Sequence, residues 1–249
     1  MESLTLLFLL MAVLFGSYIQ TITGFAMGMI IIATVGGLGL LQLSVLAILV
    51  SLLTSVNSLL SLRGNWSLID VRFLFFLALG QFPAIVFGIG LLNFLESNEV
   101  WILKAILGSF LVLGGLLSFI NPRPLKRISG RLTVFLAGIL GGTLGGLFSA
   151  SGPVLGLFAY SQPMPVAQIR ATLLASFLFT TTARTAVVSF QGSIKPEILM
   201  LFLLALPIVL LGTFLGKKIL PPVSESTTRR FAFSIILMIG FWTVLETIL

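Results

Sequence analysis

Long apolar runs alternate with short polar interruptions along the whole chain. The runs cover roughly 4–35, 41–62, 70–93, 99–120, 131–160, 166–190, 196–216 and 228–248. Most match the length of about 20 residues that carries a helix across a bilayer. Two are longer, about 30 residues, and both are broken. The first contains GSYIQTITGFAMG over 16–28, and the second GGTLGGLFSASGPVLG over 141–156. Glycine costs roughly 1 kcal/mol and proline roughly 3 kcal/mol against alanine inside a helix, so neither stretch suits continuous helix. Broken backbone at membrane depth survives only where it is buried in protein or lines a watery cavity. One such break in each half of a chain is the sequence pointer to a transporter binding site.

Composition sets the class. The chain has 249 residues, 58% hydrophobic and 8% charged, with a mean hydropathy of +1.20. A soluble domain carries about 25% charge. The pattern therefore predicts an all-α polytopic membrane protein in the lipid bilayer, without a sizeable soluble module. No ten-residue alternation points to a β-barrel. MESLTLLFLLMAVLF at the start has Glu2 where a signal peptide has positive charge, and no small-residue cleavage site follows. It reads as a retained segment.

The chain lacks cysteine and histidine, which excludes disulfides, thiolate chemistry and histidine metal sites. Asp70, Glu96, Glu99, Glu197 and Glu225 lie at segment or loop ends, so no carboxylate sits centrally in a span. With no Walker motif and no nucleophile–base pair, the reading is a non-enzyme without cofactor or metal.

The polar break NPRPLKRISGR, 121–131, divides the chain into a first repeat 1–120 and a second 132–249. Gly24 and Gly28 match Gly152 and Gly156 at an offset of 128, Pro83 and Gly88 match Pro207 and Gly212 at 124, and Lys104 and Gly114 match Arg230 and Gly240 at 126. Ordered matches at near-constant offset suggest an internal duplication.

Charge then selects a topology. If all eight segments span, the 14 basic residues divide 8 to 6 between the faces. If 4–35 and 131–160 are re-entrant hairpins of two half-length helices, the division is 11 to 3, with only Lys104, Arg184 and Lys195 on the minor face. The second division fits the rule that cytoplasmic loops are lysine- and arginine-rich. It also accounts for the net charge of +7 without nucleic acid. Each half becomes a hairpin plus three spans. Three is odd, so the halves are inverted, the tips meet near the midplane, and both termini lie outside a bacterial inner membrane.

Candidate binding residues follow. The first tip offers Gln20, Thr21, Thr23 and Gly24, and the second Ser149, Ser151, Gly152 and Pro153. Pro153 suits the start of a helix whose free N–H groups would face an anion. Tight small-residue packing is the competing reading of the glycines. Arg184, inside an apolar segment, is a functional candidate by default, with snorkelling as the alternative. Thr181 beside it, Asn57 in the matching patch of the first half, and Gln81 complete the set.

TITGFAMG, GGTLGGLFSASGPVLG and the NPRP linker resemble the TauE/SafE (sulfite exporter, or organosulfur permease) family over essentially the whole chain. The resemblance implies transport of sulfur-containing oxyanions such as sulfite or sulfonates. Related thiosulfate carriers use cysteines in their path, and that mechanism does not transfer to a chain without cysteine. The expected function is a secondary exporter of a small anion with alternating access. A passive channel and a substrate-free membrane scaffold stand as alternatives. Oligomeric state is not readable from the sequence.

Overall fold

A computed structural model describes residues 3–119, 124–219, 234 and 236–245. The described residues form helices and no strands. The order is α1 (Ser3–Thr23), α2 (Met27–Ile31), a π-helical turn (Ile32–Gly36), α3 (Leu43–Leu62), α4 (Val71–Asn98), α5 (Val100–Phe119), α6 (Arg131–Phe148), α7 (Gly152–Tyr160), α8 (Val166–Phe190) and α9 (Pro196–Lys218). A last helix, α10 (Ile236–Leu245), covers part of the eighth apolar run. Residues 121–123 of the linker, Glu225, Arg229 and Arg230 lie outside the described residues. Seven helices (α1, α3, α4, α5, α6, α8 and α9) are long and apolar enough to cross a membrane. The chain is a multi-pass helical membrane protein, with Trp66, Trp101 and Trp242 on its exposed surface.

The ends of the bundle are distinguishable. At the upper end, where α1 starts, the Ser44 N–H of α3 donates to Glu96 Oε1 of α4 at 3.2 Å. Thr5 and Leu6 share a cavity with Gly39, Leu40 and Leu41, so the segment opening with α1 returns to that end. At the lower end, Asp70 N–H donates to Thr172 Oγ1 at 3.0 Å, and Lys217 Nζ donates to the Arg63 carbonyl at 3.2 Å. The Leu125 N–H bonds the Ser161 carbonyl there at 2.8 Å, so the segment opening with α6 also ends where it began.

The arms of these hairpins are unequal, which corrects the half-length expectation. α1 has 21 residues and α6 has 18, about 31 and 27 Å of helix, close to the full thickness of about 30 Å of the hydrocarbon core rather than half of it. The return arms are short. The first break is confined to 24–26, so Gln20, Thr21 and Thr23 sit in the last two turns of α1 rather than in a loop. Backbone conformation ends each long arm: Gly24 has φ +84°, Ala26 φ +104° and Ser149 φ +55°. Two of these are not glycine, and such conformations cost of order 1–3 kcal/mol each.

Glycine sets the closest helix pair. α4 and α6 run parallel in backbone contact: a Cβ on Gly80 would strike the Phe135 carbonyl, one on Gly138 the Leu77 carbonyl, and one on Gly88 the Thr143 carbonyl. α9 approaches α1 in the same way, Gly212 against Ser17 and Leu14, and Gly216 against Thr21 and Tyr18. α4 continues through Pro83 and α9 through Pro207.

Candidate functional site

The two breaks touch. A Cβ on Gly28 would strike the Ser149 carbonyl, and one on Gly152 would come within 3.2 Å of Phe25 Cδ2 and 3.4 Å of the Ala26 nitrogen. Tyr160 OH donates to the Thr23 carbonyl at 2.8 Å. The return arms therefore run antiparallel, with 28 beside 149–150, 26 beside 152, and 23 beside 160.

The second break carries a cation. Arg184, on α8, is 1% exposed. Its Nε donates to the Gly146 carbonyl in the last turn of α6 at 3.1 Å, and its Nη1 to Ser51 Oγ of α3 at 3.3 Å. Ser51 Oγ also lies 2.8 Å from Ser149 Oγ at the break. α6 and α3 are thus tied to one guanidinium of α8 through neutral oxygens, and among the described residues no carboxylate pairs with it. Snorkelling is excluded, because the side chain is buried rather than reaching the surface. An unpaired buried charge costs several kcal/mol, even after relaxation. A dissolved anion of complementary shape would recover that cost.

Arg184 lines a cavity of about 400 Å³ together with Gln42, Ser44, Asn93, Glu96 and Lys195. Those partners belong to the upper ends of their helices, so the cavity leads from that end down to the guanidinium. Two buried hydroxyl groups have no partner among the described residues: Ser151 Oγ, at the cap of α7, and Thr185 Oγ1, which follows Arg184 on α8 but points to another side of that helix. Ser151 makes no side-chain bond to the first turn of α7, and Pro153 occupies the opening positions of that helix as expected.

The family model described as sulfite exporter TauE/SafE matches residues 8–243. The chain belongs to the TauE/SafE family. A "Probable sulfite/organosulfonate exporter TauE" of Cupriavidus necator is 39% identical over 233 residues, covering 94% of this chain and 91% of the relative. No solved structure matches. Membership makes this TauE/SafE chain a membrane transporter rather than an enzyme.

The TauE/SafE fold separates the residues that sequence grouped. Thr21 Oγ1 lies 3.0 Å from Ser61 Oγ, while Ser149 Oγ meets Ser51. Ten residues of α3 separate those partners, about 15 Å of helix. Thr21 and Ser149 therefore cannot hold one small oxyanion together. Gly24 packs against Arg170 near the lower end. Thr23 Oγ1 lies 2.9 Å from the Ile19 carbonyl and 2.8 Å from that of Phe25. Gln20 is a brace: its Nε2 donates to Ser58 Oγ and its Oε1 accepts the Met27 N–H, both at 3.2 Å. Asn57 Nδ2 reaches the Ser17 carbonyl, Thr21 Oγ1 and Thr213 Oγ1 at 2.8–3.1 Å. Gln81 and Ser176 bond each other across α4 and α8, with Gln81 Nε2 donating at 2.9 Å. Thr181 Oγ1 lies 2.8 Å from Ser55 Oγ.

Ser61, Ser176, Thr213, Tyr160 and the Gly146 carbonyl escaped the sequence reading. The first two had a signal. Ser51, Ser55, Ser58 and Ser61 recur on α3 at spacings of four and three, as do Thr172, Ser176, Thr180 and Arg184 on α8 at spacings of four. Those spacings mark one helix face.

Proposed function

We propose that the chain is a secondary exporter of a small sulfur-containing oxyanion, such as sulfite or a sulfonate, bound at the second break beneath Arg184. The observation that carries this reading is the buried guanidinium, paired by no carboxylate among the described residues, in a polar cavity that Glu96 and Lys195 also line. An oxyanion there would meet the Arg184 fork in the cavity that Gln42, Ser44, Asn93 and Lys195 also line. Guanidinium N–H groups match oxyanion geometry in pairs. The name of the Cupriavidus relative supports the substrate class.

Two inverted repeats, 1–120 and 132–249 with the linker 121–131, support alternating access around this site. The two hairpins open from opposite ends, and α4 packs on α6 as α9 packs on α1. Arg63, Arg72, Lys126, Arg127, Arg131, Arg170, Lys217 and Lys218 all belong to lower-end elements, which supports reading that end as the cytoplasmic face of a bacterial inner membrane. Both termini then lie outside, and the Arg184 cavity is the external vestibule.

Proteoliposomes loaded with labelled sulfite test the reading. Saturable efflux, accelerated by unlabelled sulfite outside, is expected. Efflux linear in concentration and indifferent to external sulfite would point to a channel. No flux of sulfite or of any sulfonate would contradict the proposal.

A further inference from the structure

We infer that α3 and the closing turns of α1 hold a small monovalent cation, with Thr54 Oγ1 and Asn57 Oδ1 as its side-chain donors. Thr54 is 2% exposed and Asn57 fully buried, and among the described residues neither oxygen has a hydrogen-bond partner. A buried polar atom left unpaired costs about 1–3 kcal/mol. Two on adjacent turns of one helix form a local acceptor pair with nothing to accept.

The Thr54 hydroxyl departs from its neighbours. Ser51, Ser55, Thr180, Thr181 and Thr213 each donate to the carbonyl four residues earlier, at 2.7–2.9 Å. Thr54 does not, although the same carbonyl is available to a helical threonine. The Asn57 amide has a determined sense. Its nitrogen reaches the Ser17 carbonyl at 3.1 Å, and the reversed amide would set oxygen against oxygen there. Oδ1 is therefore the free end.

Register locates the pair. Residues 54 and 57 are neighbours on a helix surface. On the same face, Val50 lies against Gly28, and Ser58 accepts from Gln20. Thr54 thus faces the space between the end of α1 and the start of α2, where the chain doubles back. Helix ends beside unwound backbone are where membrane carriers coordinate cations. The pair lies level with Ser17, short of the last turn of α1. Arg170 packs beyond that turn, on Gly24, seven residues and about 10 Å of helix from Ser17.

The donor chemistry selects the ion. Neutral amide and hydroxyl oxygens suit a singly charged hard cation, whereas a divalent ion of this kind normally takes carboxylates. The two breaks then differ in kind. At the second, a tethered guanidinium satisfies the end of α6. At the first, an exchangeable cation beside Ser17 would answer the two free oxygens of α3. This inference does not rest on the anion reading, and its test contains no sulfur oxyanion.

Purified full chain is melted in rising sodium chloride or potassium chloride, against N-methylglucamine chloride at equal ionic strength. A saturable rise in Tm of a few degrees is expected with an alkali cation and not with N-methylglucamine. Thr54→Val, which keeps the shape and removes the oxygen, should abolish the rise, and Thr54→Ser should keep it. Thr54→Ala serves as a second oxygen-free variant if valine prevents folding. Equal melting in all three salts would overturn the inference, as would a full alkali response in the oxygen-free variants.

Discussion

Arg184 Nε donates to the Gly146 carbonyl at 3.1 Å, so a cation from α8 terminates α6 at the point where that helix breaks. Its other partner, Ser51, also meets Ser149 across the break at 2.8 Å. Ser51→Ala removes the acceptor for Nη1 and the partner of Ser149 together. Melting of the purified variant should show a loss of about 1–3 kcal/mol. Its affinity for sulfite should fall as the guanidinium loses its orientation. Wild-type melting and affinity would contradict the role given to Ser51.

Two glycines of α4 make a controlled pair. A Cβ on Gly88 would strike the Thr143 carbonyl of α6, whereas a Cβ on Gly90 meets nothing within 4 Å. Backbone cannot retreat as a side chain can, so Gly88→Ala should lower the Tm by several degrees or prevent accumulation of folded protein. Gly90→Ala should be neutral or stabilising by up to about 1 kcal/mol, since alanine favours helix. Equal effects of the two substitutions would contradict the close α4–α6 contact.

The contact between the breaks gives a graded pair. Gly28→Ala would press on the Ser149 carbonyl, and Gly152→Ala on the Phe25 ring edge at 3.2 Å. A ring can shift by a few tenths of an ångström. Gly152→Ala should therefore fold and keep partial transport, while Gly28→Ala should lose most activity through displacement of Ser149. The neighbouring break accounts for the tight packing at Gly152. Initial rates in proteoliposomes, with melting as the control for folding, test this order.

The membrane class, the helix positions and both breaks were legible because apolar runs and glycine clusters report directly on burial and backbone. Arg184 was legible because an arginine inside an apolar segment has few explanations. The unequal hairpin arms were not. Gly16 looks like a breaker, yet α1 passes through it, because the site packs tightly on Met27 and tertiary contact overrides propensity. Ala26, with φ +104°, gave no signal, since alanine carries no preference for that conformation. The grouping of Thr21 with Ser149 failed for a related reason. It assumed tips at one depth, whereas the long first arm carries Thr21 to the level of Ser61.

The cysteine-free chain permits a direct topology test. Single cysteines introduced at positions 65 and 126 should resist a membrane-impermeant thiol reagent applied from the periplasm, and one at 192 should react. Periplasmic labelling at 126 would reverse the assignment of the lower end to the cytoplasm.

The central claim is that Arg184 binds a sulfur oxyanion, and calorimetric titration of purified protein with sulfite tests it most directly. Saturable binding is expected for the wild type. It should be lost or at least about tenfold weaker in Arg184→Ala, which is 1.4 kcal/mol or more. It should be partly kept in Arg184→Lys, which retains charge without the fork. Thr21→Val, near the lower end, should bind as the wild type does. Unchanged affinity in folded Arg184→Ala would contradict the account, and so would a loss of binding in Thr21→Val equal to that in Arg184→Ala.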